Sequence, residues 1–211
     1  MNETLEFEII RPFGPSLVKT KIPKNLLDKM NNYVDETIKV EEKINKFNNG
    51  PKLAGDVTQE FLLEKKFVEE VGWMKFLSNA VYEWISKDAA KKITEFRLIS
   101  TWIVRQFENE YNPIHTHSGH ISGVGYLKVP DYLGATIQKN KKNNFGGHLN
   151  LVYGSRMFMS SSSMVIKPEV GDLYLFPNWL MHQVYPFKDT NEERRSVSFN
   201  AKIDQSIYDV Y

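Results

Sequence analysis

The chain has 211 residues and no cysteine, and its 27 Lys and Arg stand against 26 Asp and Glu for a net charge of +1. Disulfides and thiolate metal sites are thereby excluded, so any ligand set must come from His, Asp, Glu and backbone groups. Near-neutrality removes the global electrostatic case for a nucleic acid or an anionic membrane, and an aromatic content of 13% is too rich in core-forming side chains for a disordered chain.

The N-terminus, Met1-Asn2-Glu3-Thr4-Leu5-Glu6, is acidic and lacks an apolar h-region. No run approaches the ~18 apolar residues that would span a bilayer. A soluble, cytoplasmic protein of one domain, residues 1–211, is expected. Residues 5–21 contain short alternating pieces around Pro12-Phe13-Gly14-Pro15 and read as strand, turn and strand. From Pro23, the spacing of Leu26, Met30, Tyr33/Val34 and Ile38 predicts an amphipathic helix that ends before Asn48-Asn49-Gly50-Pro51. Residues 53–60 read as a linker without an assigned role. Val71, Met74, Leu77, Val81 and Trp84 recur at three to four residues and mark a second helix, which like the first is read as scaffold facing a core.

After Lys92 the period changes. Residues 94–107, 121–129, 148–153, 164–166, 172–176, 182–185 and 195–203 are strand candidates separated by Gly, Pro or Asn, which suggests a sandwich or barrel. The polar, basic segment Gln138-Lys139-Asn140-Lys141-Lys142-Asn143-Asn144 reads as a mobile hairpin, either solvated or a lid.

Three of the five histidines, His115, His117 and His120, fall within six positions just before the β-branched and small-residue run Ile121-Ser122-Gly123-Val124-Gly125-Tyr126-Leu127. If the segment is extended, His115 and His117 project from one side and could share one ion, while His120 faces the other way. A further histidine, His182, opens a short strand after Asp172-Leu173-Tyr174-Leu175-Phe176-Pro177. Twelve residues on, Arg194-Arg195-Ser196-Val197-Ser198-Phe199-Asn200 alternates, with Arg194, Ser196, Ser198 and Asn200 on one face and Arg195, Val197 and Phe199 on the other. An arginine and a hydroxyl two residues apart can grip a carboxylate.

The ordered set H-T-H, S-G-V-G-Y-L, G-G-H-L, P-E-V-G-D-L-Y-L-F-P, H-Q-V-Y-P and R-R-S resembles the 2-oxoglutarate and Fe(II)-dependent oxygenases, in particular those of bacteria and marine phages with an H-x-H motif. The resemblance covers about residues 95–203, and its strength lies in the order and spacing of the pieces. It implies a mainly β fold, a double-stranded β-helix (a cupin-like jelly roll) over residues 94–203, with residues 1–93 as an N-terminal buttress of strands and helices. It also implies Fe(II), 2-oxoglutarate as co-substrate, and O₂. His115 and His182 would be metal ligands. His117 stands where most of the superfamily has Asp or Glu, so it completes a three-histidine site or gives way to water or another ligand; Glu108, Glu110 and Asp131 are the nearest carboxylates in sequence, none at the expected spacing. Arg194 would take the distal carboxylate of 2-oxoglutarate, helped by Ser196 and Tyr126, unless a slip of one residue gives that role to Arg195. Gln106, Asn112, His120, Asn200 and Trp102 are candidates for the surroundings of the cofactor, and Gly146-Gly147 would permit close backbone approach. His148 is read as structural or exposed.

The expected activity is hydroxylation of a C–H bond with conversion of 2-oxoglutarate to succinate, on a substrate that related folds suggest is peptidyl or prolyl. Two alternatives remain at this point. A three-histidine cupin-type dioxygenase without 2-oxoglutarate leaves Arg194 and Ser196 unexplained, and a non-catalytic jelly-roll binding protein makes the whole constellation accidental.

Overall fold

The computed structural model describes residues 7–10, 14–138 and 140–209. Its N-terminal pieces form β1 (Phe7–Ile10) and β2 (Leu17–Lys21), which pair antiparallel; Leu5, Pro12 and Phe13 of the expected strand–turn–strand lie outside the described residues. The long helix expected from Pro23 is two helices, α1 (Lys24–Thr37) and α2 (Glu41–Phe47). A turn in which Val40 donates to the Thr37 carbonyl separates them, and Glu41 and Glu42 then sit favourably in the first turn of α2. Only α1 buries a stripe, Leu26, Met30 and Val34.

The second expected helix is also divided. Gly72, at φ +86°, ends α3 (Lys65–Val71) and admits α4 (Trp73–Ala89), so Val71 and Met74 fall on different helices and Met74 is exposed rather than in the core. The buried face of α4 is Trp73, Phe76, Leu77, Ala80, Val81 and Trp84. Before α3 lies β3 (Gln59–Leu62), a strand that begins in the last two residues of the supposed linker.

The remaining strands are β4 (Phe96–Gln106), β5 (Asn112–His115), β6 (Ile121–Lys128), β7 (Leu149–Val152), β8 (Ser163–Ile166), β9 (Asp172–Pro177), β10 (Met181–Val184) and β11 (Arg194–Ile203), followed by the short α5 (Gln205–Tyr208). They form two antiparallel sheets, a larger one in the order β1-β2-β9-β6-β11-β4-β3 and a smaller one in the order β5-β10-β7-β8. This is the double-stranded β-helix, mainly β, with its helices on one side. The basic segment around Lys141 is coil rather than a hairpin, since residues 129–148 contain no strand among those described.

Alternation along the strands sorts side chains between two cores. Leu173, Leu175, Val197 and Phe199 face the helices and pack with Met30, Val34, Leu77 and Val81. Tyr174, Phe176, Val124 and Tyr126 face the smaller sheet and pack with Leu149, Leu151 and Val184. Polar side chains also face that second space, and there lies the site.

Candidate functional site

The antiparallel pairing of β5 with β10 puts His115 opposite His182, so their imidazoles project from one face of the smaller sheet. His117 joins them by a different route from the expected strand parity. β5 stops at His115, and His117 lies in the following coil, where its N–H donates to the Asn178 carbonyl (2.9 Å) and the Asn178 amide donates back to its carbonyl (3.0 Å). Asn178, in the turn between β9 and β10, thus clamps the backbone that carries the third imidazole.

One nitrogen from each of the three rings lies within 4.8 Å of the others, and no Asp or Glu among the described residues joins the group. The Nδ1 atoms of His115 and His182 lie 2.7 and 2.8 Å from the carbonyls of Pro113 and Leu180. A carbonyl only accepts, so each Nδ1 carries the proton and each Nε2 presents a lone pair. The Nε2 atoms of His117 and His182 are 3.1 Å apart. Two nitrogens about 2.1 Å from one ion at right angles to each other would be separated by about 3 Å, so the spacing suits a shared metal. Burial, followed by the neighbouring imidazoles, pushes His117 down to about 3; burial, followed by His115, pushes His182 down to about 4, and burial also lowers His115. All three rings are therefore neutral at physiological pH, the form in which an imidazole can ligate a metal.

Across the cavity from this cluster, β11 supplies Arg194, Ser196 and Ser198, which line the same space of about 210 Å³. Arg194 is 1% exposed; its Nε donates to the Gly147 carbonyl at 3.0 Å, but its Nη2 is buried without a partner. The carbonyl is presented by a Gly-Gly turn packed on Leu133: a Cβ on Gly146 would come within 2.5 Å of the Leu133 carbonyl oxygen, and Gly147 holds φ +67°. The guanidinium lies 5.1 Å from the centre of the Tyr126 ring, whose hydroxyl is likewise buried and unpartnered. Burial pushes the Tyr126 phenol up to about 12, so it stays protonated as a donor. A desolvated guanidinium and a desolvated phenol with no acceptor form a cradle for an anion, since leaving both unsatisfied is costly.

Asn112, His115, His117, Trp102, Arg194 and Ser196 all reach this cavity. Other candidates do not. His120 faces the far side of the larger sheet, stacks on Tyr208 at 4.1 Å and accepts the Ile203 N–H on Nδ1, so it is a packing residue. The Gln106 amide donates to the Glu110 and Tyr185 carbonyls and ties the β4–β5 loop to β10, and Asn200 accepts from Ser122. Glu110 receives Thr58 and the Phe107 N–H, Glu108 receives the Asp189 N–H, and Asp131 sits on the Glu192 side of the molecule, so none of these carboxylates approaches the metal cluster. Arg195 points to the helices, as its alternation requires.

Leu53, Ala54, Gly55 and Glu60, read from sequence as part of a linker without a role, form one wall of the cavity together with Lys52. The available signal was a carboxylate directly before the apolar run Phe61-Leu62-Leu63, an unusual place for Glu.

Comparison with known proteins agrees with this geometry. Residues 100–200 match a family model described as "Putative 2OG-Fe(II) oxygenase". A search of curated proteins returns no match. Among solved structures the chain is similar to a prolyl-4-hydroxylase of Pseudomonas putida (12% identity, 87% of this chain and 91% of that one, TM-score 0.55). It is similar also to a prolyl hydroxylase of Trichoplax adhaerens in complex with a hypoxia inducible factor peptide fragment (16% identity, 96% and 85%, TM-score 0.53). A third is HygX of Streptomyces hygroscopicus, with nickel, 2-oxoglutarate and hygromycin B bound (11% identity, 94% and 83%, TM-score 0.56).

Proposed function

We propose, from the match of residues 100–200 to the 2OG-Fe(II) oxygenase family model, that the chain is such an oxygenase in which His115, His117 and His182 hold Fe(II) while Arg194, with Tyr126 and Ser196, holds the distal carboxylate of 2-oxoglutarate. The observation that carries the reading is the partnerless Nη2 of Arg194 in the same cavity as the three imidazoles. A three-histidine centre without 2-oxoglutarate has no use for that arginine, and neither does a binding protein with a neutral ligand.

When bound, the iron supplies the oxidising chemistry by which O₂ hydroxylates a C–H bond while 2-oxoglutarate becomes succinate and CO₂. The chain's own contribution is positional. Neutral imidazoles leave the metal's charge uncompensated by the protein, so negative charge at the metal would come from the co-substrate's other carboxylate, the distal one being paired with Arg194. Arg194 fixes one end of that co-substrate, and Trp102, Val124, Leu149, Phe176 and Val184 keep the surrounding space apolar. Hydroxylation is the activity this arrangement supports. A peptidyl or prolyl substrate rests on fold likeness alone, because neighbours of equal similarity are named for prolyl hydroxylation and for hygromycin B.

Anaerobic titration with Fe(II) and 2-oxoglutarate tests the reading. A metal-to-ligand charge-transfer band is expected only when both are present; iron binding that is indifferent to 2-oxoglutarate would favour the cupin-type alternative.

A further inference from the structure

The reading above leaves one buried carboxyl group in the cavity unused. Glu60 lies on β3, the edge strand of the larger sheet, and pairs with Val104 of β4. Val104 in turn pairs with Ser196 of β11, and Ser196 with Tyr126 of β6. These four side chains therefore form one row across the sheet, with Glu60 two strands from Ser196, or roughly 10 Å. The cavity thus has a cationic place at Arg194 and an anionic one at Glu60, with Val104 and Trp102 between them.

Glu60 is 4% exposed, and its Oε2 is buried without a hydrogen-bond partner. The loop above it is fitted closely: a Cβ on Gly55 would stand 2.9 Å from Glu60 Oε1 and 2.7 Å from Asn112 Oδ1, so the loop backbone packs directly on both side chains. That loop is fixed in turn by paired backbone hydrogen bonds between Asp56 and Tyr111. Lys52, exposed at the mouth, forms no ion pair with Glu60 among the described residues. A carboxylate held this way is costly unless something completes it.

Neither proposed occupant does so. Glu60 is outside the metal-binding group, and it would repel the doubly negative co-substrate. We propose that Glu60 binds the second substrate, and that this substrate brings a protonated amine or guanidinium to it. The inference rests on the oxygenase reading of the cavity for the word substrate, but the recognition itself does not depend on the metal. Burial pushes the Glu60 carboxyl up to about 7, and an incoming cation would restore its ionised form. The reacting C–H bond would then lie on the part of the substrate that extends from the basic nitrogen toward the histidines.

Matched probes of one shape test this on the whole chain, without metal, at pH 8. Binding of n-butylammonium and of n-butanol is measured by saturation-transfer NMR, and the Trp102 indole N–H cross-peak locates the probe in the cavity. The expected result is at least a ten-fold preference for n-butylammonium with a shift of the Trp102 peak, and loss of that preference in Glu60→Gln. Equal binding of the two probes, a Trp102 peak that does not move, or a preference that survives Glu60→Gln overturns the proposal. Mn(II) retained by separate, Mn(II)-loaded portions of the same preparations reads the metal centre independently: Glu60→Gln keeps wild-type metal, and a wild-type chain that takes up no Mn(II) would refute the oxygenase site while leaving the ammonium result to decide this one.

Discussion

Arg194 and Arg195 are adjacent on β11 and almost equally buried, at 1% and 2% exposure, yet their surroundings are opposite. Arg195 points to the helical side, where it donates to Glu193, to Asp35 and to the Asn31 side chain, and Glu193 also receives Arg105. Arg194 points into the cavity with a single carbonyl as acceptor. The fold itself neutralises one guanidinium and leaves the other for a ligand, which is how a charge that stabilises structure differs from a charge that recognises.

The sharpest way to break that contrast is to remove each arginine. Arg195→Ala strands Glu193 and Asp35, and is expected to cost about 3–5 kcal/mol of stability in denaturant unfolding, with 2-oxoglutarate affinity unchanged in the folded fraction. Arg194→Ala should do the reverse, weakening 2-oxoglutarate binding by about 2–5 kcal/mol in calorimetry while unfolding at an unchanged or higher denaturant concentration. If Arg195→Ala lost co-substrate and Arg194→Ala lost stability, the roles would be exchanged.

The next contrast sets a ligand against its support. His117→Ala should reduce Mn(II) or Fe(II) affinity by more than the ~100-fold upper range for a supporting residue. His117→Asp should recover binding, because it returns a carboxylate to the same coil position. Full iron content and succinate release in the alanine variant would end the three-histidine proposal.

Glu60 allows the comparison to be made with pH. Its carboxyl is raised from 4.5 to about 7 in the folded chain, so its contribution favours folding below pH 4.5 and is lost as pH rises toward 7. Glu60→Gln removes that loss: thermal unfolding should show the variant more stable by about 3 kcal/mol at pH 8, with the difference vanishing near pH 4.5. A constant difference across that window would mean that the carboxyl is not desolvated. The smallest effect is expected at Asn178, whose alanine variant should loosen the His117 backbone and lower metal affinity ~10-fold with all three ligands present; metal titration with a competing chelator measures it.

Much of this was legible in the order of residues. The strand periods of β4 and of β6 to β11 stand within a few residues of their observed bounds, because two-residue alternation is a local property and Gly, Pro and Asn mark its ends, whereas the four residues of β5 were not among the strand candidates. The same alternation separates Arg194 from Arg195, and strand parity put His115 on a face that β10 then supplied with His182. The helices were legible as apolar stripes but not as pieces, since a stripe continues across a break such as Gly72.

What the tertiary structure decided is where polar groups find partners. His117 reaches the metal cluster through a clamp from Asn178, more than sixty positions away in sequence, rather than by continuing β5. His120 turns to the far side because β6 begins beside it, the Gln106 NH₂ is taken by nearby carbonyls, and Asn200 accepts from the Ser122 hydroxyl. Glu60 looked like part of a linker because four residues of edge strand are too short to show a period; only its pairing with β4 carries it into the cavity. Periodicity follows from the backbone's own geometry and is written locally, whereas the cost of a buried charge depends on whichever remote segments fold over it, and the sequence lists those segments without saying that they meet.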